Sequence, residues 1–261
     1  MWPYLQVRSM GALISAVAML MLGACSSWSP LTQTDRPDST VMASGTEPRQ
    51  PIKGAARWQP EQTAQWREIR LPGKAPTQYR LVRQGGQPWL RADSMRSASM
   101  LSQVVDIDVT QHGRIRFDWR IEQALREADV ALRDKEDSPL RLMLAFDGDR
   151  GEFSAKDAAM SELTQLMTGE PLPYATLMYV WCGKREIGTV VHNPRTDRIR
   201  KIVAANPQSA LSAGAIERDI VADYRQAFGR SPGRLIGIAI MTDSDNTKSS
   251  ARALYGPIEI W

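Results

Sequence analysis

Two short acidic runs hold the densest ligating chemistry in the sequence, Asp147-Gly148-Asp149 and Asp243-Ser244-Asp245-Asn246. Carboxylates alternating with small residues in a tight turn can aim several oxygens at one centre, and a hard cation such as calcium takes about six to eight. Asp147, Asp149, Asp243, Asp245 and Asn246 are therefore the candidate ligands of a calcium ion, on the condition that the two runs meet at one end of the fold. The competing reading is that Asp-Gly and Asp-Asn close turns through side-chain bonds to their own backbone. The full spacing of a calcium-binding helix-loop-helix is absent.

A second group joins arginine, carboxylate and aromatic side chains. Arg114 to Ile121 alternates, with Ile115, Phe117, Trp119 and Ile121 on one face and Arg114, Arg116, Asp118 and Arg120 on the other. That pattern belongs to a strand with one face in the core and one in water. Adding Arg141, Tyr179 and Trp181 from neighbouring strands gives a wet face of Arg116, Asp118, Arg120, Arg141, Tyr179 and Trp181, which Tyr255, Glu259 and Trp261 would extend. Aromatic rings stack on sugars, while guanidinium and carboxylate groups bond hydroxyls or anions. Asp118 and Asp149 could instead act as acid and base on a glycosidic bond, at a separation of roughly 5 to 10 Å.

Other chemistry is poorly represented. His112 and His192 stand far from any His-Glu-x-x-His or cysteine pair, so zinc ligation is not expected. There is no Gly-x-Ser-x-Gly elbow and no phosphate-binding Gly-x-x-x-x-Gly-Lys. Ser244-Asp245-Asn246 lacks the Ser-x-x-Lys that would make it part of a penicillin-interactive site. Cys182 follows an apolar strand and reads as a small buried hydrophobe.

The elements that must position these groups are short runs of period two from Trp66 onward, the signature of a sandwich or barrel. Thr77 to Arg83 and Pro88 to Asp93 flank Gly85-Gly86, a hairpin signal. Leu140 to Phe146 alternates with Leu140, Leu142, Leu144 and Phe146 inward and Arg141 outward. Further strands are expected over 99–109, 175–181, 188–192, 198–204, 234–242 and 254–261. Leu235 to Met241 is nearly continuous in apolar residues, as in a central strand covered on both faces. Helices are expected over Ser154 to Thr168, with Ser154 as N-cap and Gly169 as stop, and over Ala213 to Phe228, ending at Gly229. Residues 122–139 suit either helix or loop. The predicted fold is mainly β, a single antiparallel β-sandwich of jelly-roll type with two α-helices, over residues 61–261.

Residues 1–24 carry Arg8, the apolar run Met10 to Met21 and Leu22-Gly23-Ala24 directly before Cys25. A run of about a dozen apolar residues is short for a bilayer span, which needs roughly 20, and fits a signal peptide. Leu22-Gly23-Ala24-Cys25 resembles a bacterial lipobox, which implies cleavage before Cys25 and a diacylglycerol on its thiol. Ser26 resembles the pattern sorted to the outer membrane. Residues 25–60, rich in Ser, Thr, Pro and Gln, read as a lipidated, disordered tether. Removing residues 1–24 leaves 32 basic and 29 acidic side chains, too mild an excess to argue for nucleic acid. With Cys25 lipidated, Cys182 has no partner for a disulfide.

Residues 217–229 and 237–247, with Tyr179-Val180-Trp181, Asp137-Ser138-Pro139-Leu140-Arg141 and Phe146-Asp147-Gly148-Asp149, resemble the bacterial domain-of-unknown-function family DUF3047 over roughly residues 65–261. The resemblance implies one exported domain and brings no catalytic residues with it. The favoured reading is a lipid-anchored envelope lipoprotein facing the periplasm, whose domain binds a glycan or other polar envelope ligand without catalysis. The alternatives are a carboxylate-dependent or metal-assisted hydrolase of envelope polymers and a structural lipoprotein with a protein partner.

Overall fold

The computed structural model describes residues 50–208 and 213–261, so the signal peptide, Cys25 and the tether up to residue 49 lie outside the described residues. The strands are β1 (Ile52–Lys53), β2 (Ala56–Trp58), β3 (Arg67–Arg70), β4 (Gln78–Gln84), β5 (Gln87–Met95), β6 (Ala98–Ile107) and β7 (Arg114–Gln123). They continue as β8 (Arg141–Phe146), β9 (Ala175–Trp181), β10 (Val190–His192), β11 (Ile199–Ala205), β12 (Ala213–Asp219), β13 (Leu235–Asp243) and β14 (Ser250–Ile260). The helices are α1 (Ala155–Thr168) and α2 (Ile220–Phe228).

The strands form two sheets. The larger runs β1-β6-β13-β8-β9-β11-β10, with β3 also on β6, and the smaller runs β12-β7-β14-β5-β4, with β2 on β14. All pairs are antiparallel except β1 with β6 and β9 with β11. The chain crosses repeatedly from one sheet to the other, so most consecutive strands lie in opposite sheets, as in a jelly-roll sandwich.

Period-two patterning decides which side chains fill the space between the sheets. Ile115, Phe117 and Trp119 of β7 point inward, as do Leu142, Leu144 and Phe146 of β8, and all belong to the main core. Phe117 stacks on Tyr179 at 5.5 Å between ring centroids. In β13, Ile238 and Ile240 enter that core, while Ala239 and Met241 join a second cluster with Met143 on the sheet's outer side. Both faces are covered, as its continuous apolar run predicts. Gly85 and Gly86 take φ of 60° and 79° in the β4–β5 hairpin, a two-residue turn that needs positive φ at both positions. In α1, Ser154 accepts from the Asp157 N–H, and Gly169 ends the helix at φ 81°.

Two expectations need correction. The tether does not extend to residue 60: Ile52 pairs with Val105, and Trp58 pairs with Ile258. Trp58 is buried and meets Trp66 edge to face at 6.3 Å. Two tryptophans with a large apolar area to bury outweigh the polar composition around them. The second helix begins at Ile220, because Ala213–Asp219 forms β12 and pairs with β7, with Ile216 opposite Phe117. Asp219 caps the shortened helix by accepting from the Ala222 N–H. In the ambiguous stretch, β7 runs to Gln123, and the rest is a loop that buries Leu125, Ala128 and Val130.

Candidate functional site

The expected wet face separates into three places. Tyr179 lies in the core, and its hydroxyl donates to Asp223 Oδ2 at 2.8 Å. Burial and the facing Asp223 push the phenol well above its usual range. Trp181 also packs in the main core at 4% exposure. Arg141 does point away from that core, but the loop at 124–139 folds over it. Its guanidinium grips Asp243 with two bonds, Nε to Oδ1 at 2.9 Å and Nη2 to Oδ2 at 2.8 Å, and Nη2 also donates to the Glu136 carbonyl. An outward side chain on a central strand is wet only if nothing crosses above it.

The two acidic runs do not meet. β8 and β13 are antiparallel neighbours, with Phe146 opposite Leu235 and Arg141 opposite Met241, so the segments that follow them lie at opposite ends of the sheet. Asp147 accepts from the Gly148 N–H, and Asp149 accepts from the Gly151 N–H, each closing its own turn. At the other end, carboxylate oxygens of Asp137, Asp243 and Asp245 lie within 4.8 Å of one another. Each is already engaged. Asp243 also accepts from the Ser138 N–H, Asp137 accepts from Asn246 and Thr247, and Asp245 pairs with Lys74. Asn246 donates its side-chain amide to the Arg133 carbonyl. Burial pushes Asp243 up to about 6, with Asp137 adding to the effect and Arg141 opposing it. Arg141 and Lys74 thus supply the positive charge that a calcium ion was expected to bring, and the cluster ties the loop to the sheet.

Arg116, Asp118 and Arg120 stay together on the outer face of the smaller sheet. Across from them β14 has a register shift between Tyr255 and Ile258, which places Gly256 beside Asp118. A Cβ at Gly256 would sit 2.7 Å from Asp118 Cβ and 3.0 Å from the Trp89 ring, so the indole and the carboxylate close over bare backbone. The Arg120 guanidinium lies over the Trp89 ring, 4.5 Å from its centroid. Glu259 stands opposite Arg116 and pairs with Arg57 at 3.0 Å. Asp118 Oδ1 and Trp89 Nε1 are both buried and find no hydrogen-bond partner. Burial raises the Asp118 carboxyl above its ordinary range, Glu259 reinforces this, and Arg116 and Arg120 oppose it.

Of the other candidates, Tyr255 faces the core and donates to the Met241 carbonyl at 2.6 Å, while Trp261 lies partly exposed just past β14. Asp118 lies on β7 of the smaller sheet and Asp149 in the turn that follows β8 of the larger one, so they make no acid–base pair. Sequence reasoning missed Trp89. Its alternation within Pro88 to Asp93 was visible, but its proximity to Asp118 depends on the pairing of β5 and β7 with β14, which no local pattern encodes.

No curated protein matches the sequence. Similar solved structures include a cleaved adhesin domain of Lys-gingipain from Porphyromonas gingivalis, at 10% identity and TM-score 0.35, covering 79% of this chain and 97% of that one. The family 30 carbohydrate-binding module of a Clostridium thermocellum cellulosomal cellulase is similar at 9% identity and TM-score 0.35, covering 74% and 96%. The glycoside hydrolase domain of Endo-D from Streptococcus pneumoniae gives 10% identity and TM-score 0.33, and this chain spans only 21% of its length. The model of the family described as protein of unknown function DUF3047 matches residues 64–259, most of the chain, and the protein belongs to that family.

Proposed function

We propose that this protein is a non-catalytic binding module of the cell envelope that engages a glycan or similarly hydroxyl-rich ligand on the outer face of its smaller sheet. The observation that carries the reading is an acceptor and a donor, Asp118 Oδ1 and Trp89 Nε1, buried without partners on either side of Gly256. A sugar hydroxyl both donates and accepts, so adjacent hydroxyls satisfy such a pair once the Trp89 and Asp118 side chains turn outward to meet them, with Arg116 and Arg120 available for further oxygens. Leaving buried polar atoms unpaired costs about 1–3 kcal/mol each, which a bound ligand returns. The test is calorimetric titration of the purified protein with peptidoglycan fragments and lipopolysaccharide core oligosaccharide. Binding that weakens about tenfold or more in Arg120→Ala is expected. No binding to either class, or unaltered binding by the variant, contradicts the reading.

A hydrolase is the second reading, favoured by one observation: Glu259 stands opposite Arg116, two residues from Asp118 along β7, so two carboxylates share this face. Release of reducing ends during the same titrations would select it.

The address belongs to the same proposal. Leu22-Gly23-Ala24-Cys25 directs lipidation of Cys25, with anchoring in the outer membrane and the domain facing the periplasm. Labelled palmitate should be incorporated by the native chain and lost in Cys25→Ser. Equal labelling of both would remove the anchor from the account.

A further inference from the structure

An open cleft of about 520 Å³ lies at the end of the sandwich, lined by Gln123, Ala124, Arg126, Glu127, Thr247, Ser249 and Ser250. Its size falls in the range of small-ligand pockets, roughly 300–1,000 Å³. One cation stands in its wall, and three more are carried by segments that adjoin it. Arg126 is part of its wall, and Lys248 lies between Thr247 and Ser249 in the chain. The Arg96 N–H donates to the Ser249 carbonyl at 2.9 Å, and the Arg133 carbonyl accepts from the side chain of Asn246. All four side chains are exposed, and none makes an ion pair or hydrogen bond among the described residues. Most other arginines do pair, including Arg80, Arg91 and Arg252 with Asp93. Glu127, the one acid in the wall, lies 3.7 Å from Lys135.

The backbone gives a second sign. Among the described residues, Arg96 and Lys248 are the non-glycine residues with positive φ, at 49° and 51°; the Arg96 N–H bonds the lining residue Ser249, and Lys248 lies between the lining residues Thr247 and Ser249. Left-handed backbone at a long charged side chain is unfavourable by about 1 kcal/mol or more, and such strain gathers where a side chain must be presented. Hydroxyls from Thr247, Ser249 and Ser250 and the Gln123 amide add neutral hydrogen-bonding groups between the charges.

We propose that this cleft binds an anionic saccharide, whose phosphate or carboxylate is taken by Arg126 and its neighbouring cations while the hydroxyl groups of the wall hold the sugar. It is a site separate from Asp118, five residues back along β7 from Gln123, or roughly 16 Å. Calorimetric titration of the purified protein with glucose 1-phosphate, glucuronate and unmodified glucose tests it. At least one anionic sugar should bind, more weakly as salt rises, and glucose should not. Binding of the phosphate alone names a phosphoryl ligand, and binding of glucuronate alone names a carboxylate. Arg126→Ala should weaken binding about tenfold or more. Lys248→Gly should raise the thermal midpoint by relieving the positive φ and still lower affinity, a combination that a merely structural lysine would not give. Failure of both anionic sugars, equal binding of glucose, or full affinity in Arg126→Ala overturns the proposal.

Discussion

Two aspartates on the outer face of the smaller sheet have opposite surroundings. Asp93 of β5 accepts from Arg80 at 2.7 Å, Arg91 at 3.0 Å and Arg252 at 2.5 Å. Burial alone would raise its carboxyl, yet the three arginine bonds outweigh that and hold it at about 2. Asp118 of β7 has an arginine two residues away in each direction, on the same face of the strand, but its buried Oδ1 meets no donor and its carboxyl is raised. A carboxylate whose needs are met within the protein holds the protein together. One whose needs are unmet weakens the fold by itself and is available to something outside.

The comparison extends to the other sheet, where Asp243 is the buried counterpart of Asp93, and the largest effect is expected there. Arg141→Ala strips the buried Asp243 of its ion-pair partner, which should lower stability by about 3–5 kcal/mol, read by chemical denaturation. A loss under 1 kcal/mol would show that the loop at 124–139 opens to water. Asp118→Asn should do the reverse to each property. Because the folded state favours the protonated carboxyl, removing the charge leaves the thermal midpoint unchanged or higher at neutral pH, while glycan binding falls by about ten- to a hundredfold.

Gly256→Ala sharpens the comparison through shape. The added methyl meets Asp118 and the Trp89 ring at 2.7 and 3.0 Å, so overpacking should cost about 1–3 kcal/mol and weaken glycan binding together. The smallest expected effect is in acid. Asp93 is depressed, so its contribution is present above about pH 4 and disappears as pH falls toward 2. Solvent screening of these partly exposed arginines limits it to about 1–2 kcal/mol. Asp243, raised to about 6, works in the opposite direction, favouring the folded state below about pH 4 and losing that contribution as pH rises through 6. Denaturation midpoints followed from pH 2 to 5 should fall less steeply in acid in Asp93→Asn than in the native protein. An unchanged slope would mean that the arginine bonds are not formed in solution.

Local pattern made much of the fold legible. Alternation in β7 and β8 assigned their inward faces, Gly85-Gly86 gave the hairpin, and Ser154 and Gly169 bounded α1. Those signals depend on neighbours in sequence. The failures all involve partners distant in sequence. The antiparallel register of β8 against β13 separates the acidic runs, and only pairing could reveal it. Arg141 has the pattern of a wet residue because alternation reports which side of a strand a residue takes, not what lies above it. Tyr179 carries a hydroxyl that Asp223 satisfies from inside the fold, so its polar handle gave no sign of burial. The stripe of Ile216 and Ile220 is compatible with a helix, but β7 had a free edge, and pairing there placed Ile216 opposite Phe117. Of the expected binding set, Arg116, Asp118 and Arg120 stay together because they share one strand.

The most direct test of the account is glycan affinity and thermal midpoint measured together for Asp118→Asn and Asp93→Asn. The account predicts that the first loses binding and keeps its midpoint, and the second keeps binding and loses midpoint. Matching behaviour of the two variants, or full glycan affinity in Asp118→Asn, would contradict it.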